Sequence, residues 1–462
     1  MSRTDDHHGA AGPTAGTTDV RPLFEGDRPD RRHWTLAVAA GMASYLDSGI
    51  IVSLGVGLAL IGEEYGIGAW GLGALSAALT FSIGVGALVG GRVADLVGRQ
   101  RAFTAYILVY AVGTTAMAVS PSAGVLFAGV VVAGLAAGAD LPTSVAVVSE
   151  RSPARAQGRL VSVTQVMWVV GIAVTQVLGF AVAGLGLLGI RLIFAELAVL
   201  AVVTFLVRRF SPSVRSLEED AREARSHQPG AGAGGAGGGA GARERGGLPL
   251  RTILTTRAMV VPLLLTTGFY VAWNLVANTF GQFQVYFLRE AAGASQAVAT
   301  GVGAAVIPLG IITSLVLVRL VDTRWRTTVL VVGMVIQAVA MTMLGLGAGV
   351  LAVYVAAIAL YQLGSNSAGE ALYKVWTQES QPVEARSTVQ GATYAVGRFA
   401  VGLFALVTPA LIETARTPLL FFLVLCVLVA LGFGLVLVRH MRARGLHPGS
   451  EPPAVEDVAA AR

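Results

Sequence analysis

Five ionisable residues lie inside stretches that are otherwise apolar: Asp47, Asp140, Glu370, Lys374 and Arg398. Lys374 is the only lysine in the chain. A charge at the middle of a bilayer costs at least about 2.5–3.5 kcal/mol, so each of these residues demands a reason. A lone carboxylate at that depth, such as Asp47 or Asp140, can take up and release a proton. Glu370 and Lys374 are spaced as neighbours on one helix face. They either neutralise each other and fix packing, or one of them faces a ligand. Amides form a second pattern: Tyr270, Asn274, Asn278, Gln282 and Tyr286 recur every four residues, and Gln362, Asn366 and Glu370 repeat the spacing. Each series follows one slowly turning helix face. Asn and Gln both donate and accept, which suits a ligand with several hydroxyl groups, although amides also bridge membrane helices. Gln165 adds another amide, and Trp168, Trp273 and Trp376 offer flat apolar faces for the C–H groups of such a ligand.

The elements that carry these residues are long and apolar. The mean hydropathy is +0.70, and 54% of residues are hydrophobic against 13% charged. Twelve apolar runs, each long enough to cross a roughly 30 Å hydrocarbon core, are predicted at 34–61, 70–96, 101–120, 123–149, 160–184, 189–208, 258–288, 297–321, 327–347, 349–377, 389–412 and 417–440. Between the sixth and seventh, Phe210 to Arg251 is charged around the segment GAGAGGAGGGAGA, which has the composition of a flexible linker. The expected organisation is a disordered tail over 1–33, a six-helix half over 34–209, a Gly/Ala-rich linker over 210–257, a second six-helix half over 258–440 and a disordered tail over 441–462.

Charge sets orientation. With the N-terminus inside, Arg92, Arg99, Arg101, Arg151, Arg155, Arg159, Arg208, Arg209, Arg319, Arg324, Arg326 and Arg386 all fall on the cytoplasmic side, leaving outside little more than Arg191, Arg289 and Arg416. That is the positive-inside asymmetry. The net charge of +6 therefore reports topology, and no nucleic-acid partner is expected. Cys426 is the only cysteine, so no disulfide framework or cysteine metal site is available within the chain. His7 and His8 belong to the tail rather than to a metal site. No nucleophile elbow, zinc-protease or Walker motif occurs, so no enzyme, cofactor or ATP-driven activity is expected.

Gly91, Asp95, Gly98 and Arg99 make G-x-x-x-D-x-x-G-R after the second run, and Asp322, Arg324 and Arg326 follow the eighth in the same place. Ser149, Glu150 and Pro153 follow the fourth run as Gln378, Glu379, Pro382 and Arg386 follow the tenth. These motifs resemble the loops of major facilitator superfamily transporters and, within them, the sugar porters. Gln165 with Gly171 resembles the Q-x5-G of that family's fifth helix, Tyr45 to Gly49 resembles its proton-carrying first-helix segment, and Glu196 has a counterpart in its cytoplasmic charge network. The chain departs from the pattern at Gln157, at Trp325, in the reduction of P-E-S-P-R to Ser213 and Arg215, and in a fourth run that holds Asp140 where proton-coupled members carry an arginine.

The resemblance implies an all-α fold of twelve membrane helices in two six-helix halves, with a midplane site between them. It also implies a monomeric, plasma-membrane secondary transporter with both termini cytoplasmic. Asp47, or failing it Asp140, would carry the proton. A small polyhydroxylated solute, a sugar or cyclitol, would meet Gln165, Trp168, Asn274, Asn278, Gln282, Gln362, Asn366, Glu370 and Trp376. Gly91, Asp95, Gly98, Arg99, Glu150, Glu196, Asp322, Arg326, Glu379 and Arg386 would form a cytoplasmic latch that breaks as that side opens. A proton-driven exporter of amphipathic compounds would need a greasier cavity, and a nutrient sensor would need long structured tails.

Overall fold

The computed structural model describes residues 29–153, 156–226, 250–347 and 349–447, leaving aside a few side chains within helices, that of Asp95 among them. The expected tails and the Gly/Ala run of the linker fall largely outside these residues. The described chain is all helix, with no strand. Helices α1 (Arg31–Tyr65), α2 (Ala69–Val97), α3 (Arg99–Ala118), α4 (Ala123–Glu150), α5 (Gln157–Ala181) and α6 (Leu187–Phe210) build the first half. Then come α7 (Pro212–Ser226) and α8 (Leu250–Thr255). The second half holds α9 (Arg257–Ala292), α10 (Gln296–Leu320), α11 (Arg326–Leu346), α12 (Leu351–Ser367), α13 (Glu370–Ser380), α14 (Val383–Thr414) and α15 (Arg416–Ala443). Eleven of these segments are long and apolar enough to cross a bilayer, α12 and α13 together forming one. The twelfth is α3, which opens on Arg99, Gln100 and Arg101 and packs between α4 and α6. The start of α1 and the end of α15 lie on one side of the bundle, the termini face; the opposite side is the far face.

Small residues set how closely the helices approach. Between α2 and α4, Gly138 lies against the Ile83 carbonyl, Gly86 against the Leu135 carbonyl and Gly90 against Ala139, and a Cβ has no room at any of them. Such backbone-close packing does between membrane helices what burial from water cannot. The motif glycine Gly91 faces open space; its neighbour Gly90 makes the contact. Gly98 acts through its backbone, turning the chain between α2 and α3 at a φ of 97°. That left-handed region suits a residue without a Cβ.

Three expectations change. The linker over 210–257 begins with a helix: Val214 and Leu217 of α7 bury themselves with Leu36, Phe103, Val148 and Leu160, while Arg32 binds Asp220 at 3.1 Å and ties α7 to α1. The tenth span is broken, because Ala368 and Gly369 are non-helical and α13 restarts at Glu370. Trp376 does not line a cavity. It is 1% exposed, set edge-on against Phe269 with ring centroids 5.0 Å apart, next to Gly434 of α15.

Asp140 also has a structural explanation. Arg208 of α6 is fully buried and reaches it at 2.7 Å. The same guanidinium donates to the carbonyls of Ala39 and Phe103 and to Ser144 Oγ, and it stacks 3.8 Å from the centre of the Phe103 ring. Four helices are thereby joined by one cation whose charge is matched within the first half. Removing one partner of a buried pair leaves the other uncompensated, at a cost of about 3–5 kcal/mol. Asp140→Ala should therefore lower the unfolding free energy of detergent-purified protein by that amount, and a loss below 1 kcal/mol would contradict the assignment. Trp376→Ala should cost about 3–5 kcal/mol in the same measurement as a core truncation; an unchanged melting temperature would return Trp376 to the surface of a cavity.

Candidate functional site

The halves meet through α1 against α9, α2 against α14 and α5 against α10. These contacts lie toward the far face. Gly55 sits on the Gln282 carbonyl, Gly73 on the Leu406 carbonyl and Gly303 on the Gln176 side chain. Gln296 donates to the Val56 carbonyl at 2.8 Å, and Arg289 pairs with Glu63 at 2.7 Å. Nearer the termini face, Lys374 Nζ reaches across the gap to Gln165 Oε1 at 3.2 Å. The halves are thus in close contact on the far side, while nearer the termini face Gln165 is exposed and Lys374 half-buried.

Within that gap stands a charge pair drawn from both halves. Asp47 lies about 24 Å along α1 from Arg31, at 1.5 Å per residue, and so near mid-membrane. Its side chain is 1% exposed, and its Oδ2 is 4.0 Å from Arg398 Nη2 of α14. Its Oδ1 is buried without a hydrogen-bond partner. Next to Asp47, Ser48 donates to the Trp168 carbonyl at 2.8 Å, joining α1 to α5. Tyr45 donates to Glu196 at 2.6 Å. Glu196 is 14 residues from the end of α6, about 21 Å from the termini face, so it belongs to this mid-depth region and not to the expected cytoplasmic network.

The break in the tenth span positions a second charged group. Glu370 opens α13, where free backbone N–H groups favour a carboxylate. It accepts from Tyr394 at 2.8 Å and pairs with Lys374 at 3.0 Å, both side chains remaining about one-third exposed. Breaks of this kind in membrane helices commonly lie at ligand sites. Tyr394 was not singled out by the sequence, since a tyrosine in an apolar helix is unremarked until its partner is known.

The amides divide. Asn274 is half-buried beside Gly397, the residue before Arg398, and Asn278 donates to Gln282 at 3.3 Å. Gln282 lies deeper, buried in the α1–α9 contact with its Nε2 unpartnered. Asn366 gives its amide to the Gln362 carbonyl at 2.9 Å and lies against Gly310 of α10. Gln165, Trp168, Asn274, Asn278, Glu370 and Lys374 therefore share the space between the halves, while Gln282, Gln362 and Asn366 sit at helix contacts beside it. Asp140 is outside this group.

The motif charges at the termini face pair within each half. Arg99 at the start of α3 pairs with Glu150 at the end of α4, and Arg326 at the start of α11 forks Glu379 at the end of α13 at 2.5 and 2.8 Å. Asp322 stands 3.7 Å from Arg326, and Arg386 caps α13 by donating to the Gln378 carbonyl at 2.5 Å. The Asp95 side chain lies outside those described. The sequence reading had these pairs breaking as this face opens. Each of these pairs joins helices of one half, so it braces that half.

The sequence model of the Major Facilitator Superfamily matches residues 36–405. The minor myo-inositol transporter IolF of Bacillus subtilis (strain 168) is 28% identical over 416 residues, covering 88% of this chain and 91% of the relative. The niacin transporter NiaP of Acinetobacter baylyi is 31% identical over 158 residues, 32% of this chain and 34% of that one. Among solved structures, a D-xylose-proton symporter superposes with a TM-score of 0.68 at 15% identity, covering 86% of this chain and 96% of the other. The inward-open xylose transporter XylE from E. coli gives 0.64 at 14%, covering 93% and 99%. The span pattern of the described residues, the repeated loop motifs and the matched length agree: the chain belongs to the Major Facilitator Superfamily and is a multi-pass membrane transporter, not an enzyme.

Proposed function

We propose that this protein moves a small polyhydroxylated solute, a cyclitol or a sugar, across the plasma membrane together with a proton, as a monomer with the termini face in the cytoplasm. The arginine asymmetry supports the orientation. The observation that carries the coupling is the Asp47–Arg398 pair. One member belongs to each half, and one carboxylate oxygen is left without a hydrogen bond. A proton on Asp47 cancels one charge of a pair that spans the moving interface, and so changes the relative free energies of the states that open to either side. Asp140 is not needed for this role, because its charge is already matched within one half. The cavity amides Gln165, Asn274 and Asn278, with Glu370 and Lys374, supply donors and acceptors in the mixture that hydroxyl groups require. Trp168 adds an apolar wall. The relation to a myo-inositol transporter supports the cyclitol end of the range, and the polar lining disfavours the exporter of amphipathic compounds.

Two measurements check this. Gln165→Ala and Asn274→Ala should each weaken myo-inositol binding to purified protein by roughly 5- to 150-fold, since a ligand hydroxyl loses a buried partner worth about 1–3 kcal/mol. Loss of stability with unchanged affinity would mean instead that these amides only join helices. In proteoliposomes with an imposed pH gradient, Asp47→Asn should abolish accumulation of myo-inositol above its outside concentration while leaving exchange intact. Undiminished accumulation in that variant would remove Asp47 from the coupling.

A further inference from the structure

On the outer wall of the first half, away from the central cavity, a cleft of about 530 Å³ lies between α3, α6 and α7. Its walls change character with depth. At the termini face they present Arg101 of α3, Arg209 of α6 and Arg215 of α7, all exposed. Arg215 donates to the Arg209 carbonyl at 3.1 Å, and both guanidinium groups lie beside Phe210, 5.5 and 5.9 Å from its ring centre. The Glu218 carboxylate shares the rim, so three guanidinium charges face one carboxylate. Arg208 also lines the cleft, but its charge is matched by Asp140. One and two turns deeper the lining is Ala105, Leu108 and Phe205, with Leu108 44% exposed. The stack Arg101, Ala105, Leu108 runs down one face of α3 from the membrane boundary into the hydrocarbon zone, and Arg209 above Phe205 does the same on α6.

A basic mouth over an apolar throat, at the depth where headgroup meets acyl chain, has the chemistry of one kind of molecule. We infer that this cleft binds a single anionic phospholipid, its phosphate held by Arg101, Arg209 and Arg215 and one acyl chain lying along Ala105, Leu108 and Phe205. Guanidinium groups match phosphate oxygens in pairs and are weakly hydrated, which suits them to this boundary. Basic side chains at a membrane surface favour anionic over zwitterionic lipid. The occupant would also fix α7. That helix opens the linker between the halves and otherwise rests on a small apolar patch and the Arg32–Asp220 bond. The lipid would therefore reach the linker without entering the solute cavity.

The test uses delipidated, full-length protein in detergent, titrated with phosphatidylglycerol or phosphatidylcholine and weighed intact by native mass spectrometry. The wild type should retain one phosphatidylglycerol about tenfold more tightly than phosphatidylcholine. The double variant Arg101→Gln, Arg215→Gln should lose that preference, and Ala105→Trp should lose the bound lipid with its arginines in place, both melting as the wild type does without lipid. Equal retention of the two lipids by the wild type, or a preference that survives in either variant, would overturn the inference. So would displacement of the bound lipid by millimolar inorganic phosphate, which would make the site one for a soluble anion. If the double variant does not fold, Ala105→Trp decides the matter alone.

Discussion

A carboxylate at the centre of a membrane protein needs a counter-charge, and where that counter-charge comes from decides what the carboxylate can do. This chain solves the problem twice. Asp140 and Arg208 pair inside one half, where backbone carbonyls, a serine and an aromatic ring also hold the guanidinium, so the pair joins four helices of that half. Asp47 draws its counter-charge from Arg398 in the other half, at 4.0 Å and with one oxygen unpartnered. The same two residue types give a fastener in one place and an adjustable link across a moving interface in the other. Each carboxylate keeps one buried oxygen without a hydrogen-bond partner; the difference lies in where the counter-charge sits, at 2.7 Å within one half for Asp140 and at 4.0 Å across the two halves for Asp47.

The rest of the architecture keeps that link adjustable. Glycines at the α1–α9 and α2–α14 contacts let backbones touch on the far face, beside the side-chain bonds from Arg289 to Glu63 and from Gln296 to Val56. The paired braces, Arg99 with Glu150 and Arg326 with Glu379, stiffen each half at the termini face in matching positions, so rearrangement is concentrated between halves. The break before Glu370 sets a carboxylate and a lysine into the space in between.

Much of this was legible in the sequence, and the limits have a physical origin. Span number, the two halves and the motif loops follow from apolar length and charge placement, quantities that do not depend on helix rotation. Rotation itself is hidden in a helix that is apolar all round, because no polar face shows which way it turns. That is why Trp376 was assigned to the cavity when it faces the core. Depth was misjudged for Glu196, whose motif counterpart suggested the cytoplasmic edge while its position within α6 puts it beside Tyr45. Arg398 stood out as costly, but its partner is 351 positions away (398 minus 47) in the numbering, with nothing local to signal it. The break at Ala368 and Gly369 follows a run of small and polar residues, Ser365, Asn366 and Ser367, that also fits an unbroken helix.

The central claim is that solute and proton move together through Asp47. It is tested most directly by following the pH inside sealed proteoliposomes, with no gradient imposed, as myo-inositol is added outside. Acidification of the lumen in step with solute entry is the expected result for the wild type, and solute entry without acidification for Asp47→Asn. Solute entering wild-type vesicles at constant internal pH, or equal acidification in both proteins, would contradict the account.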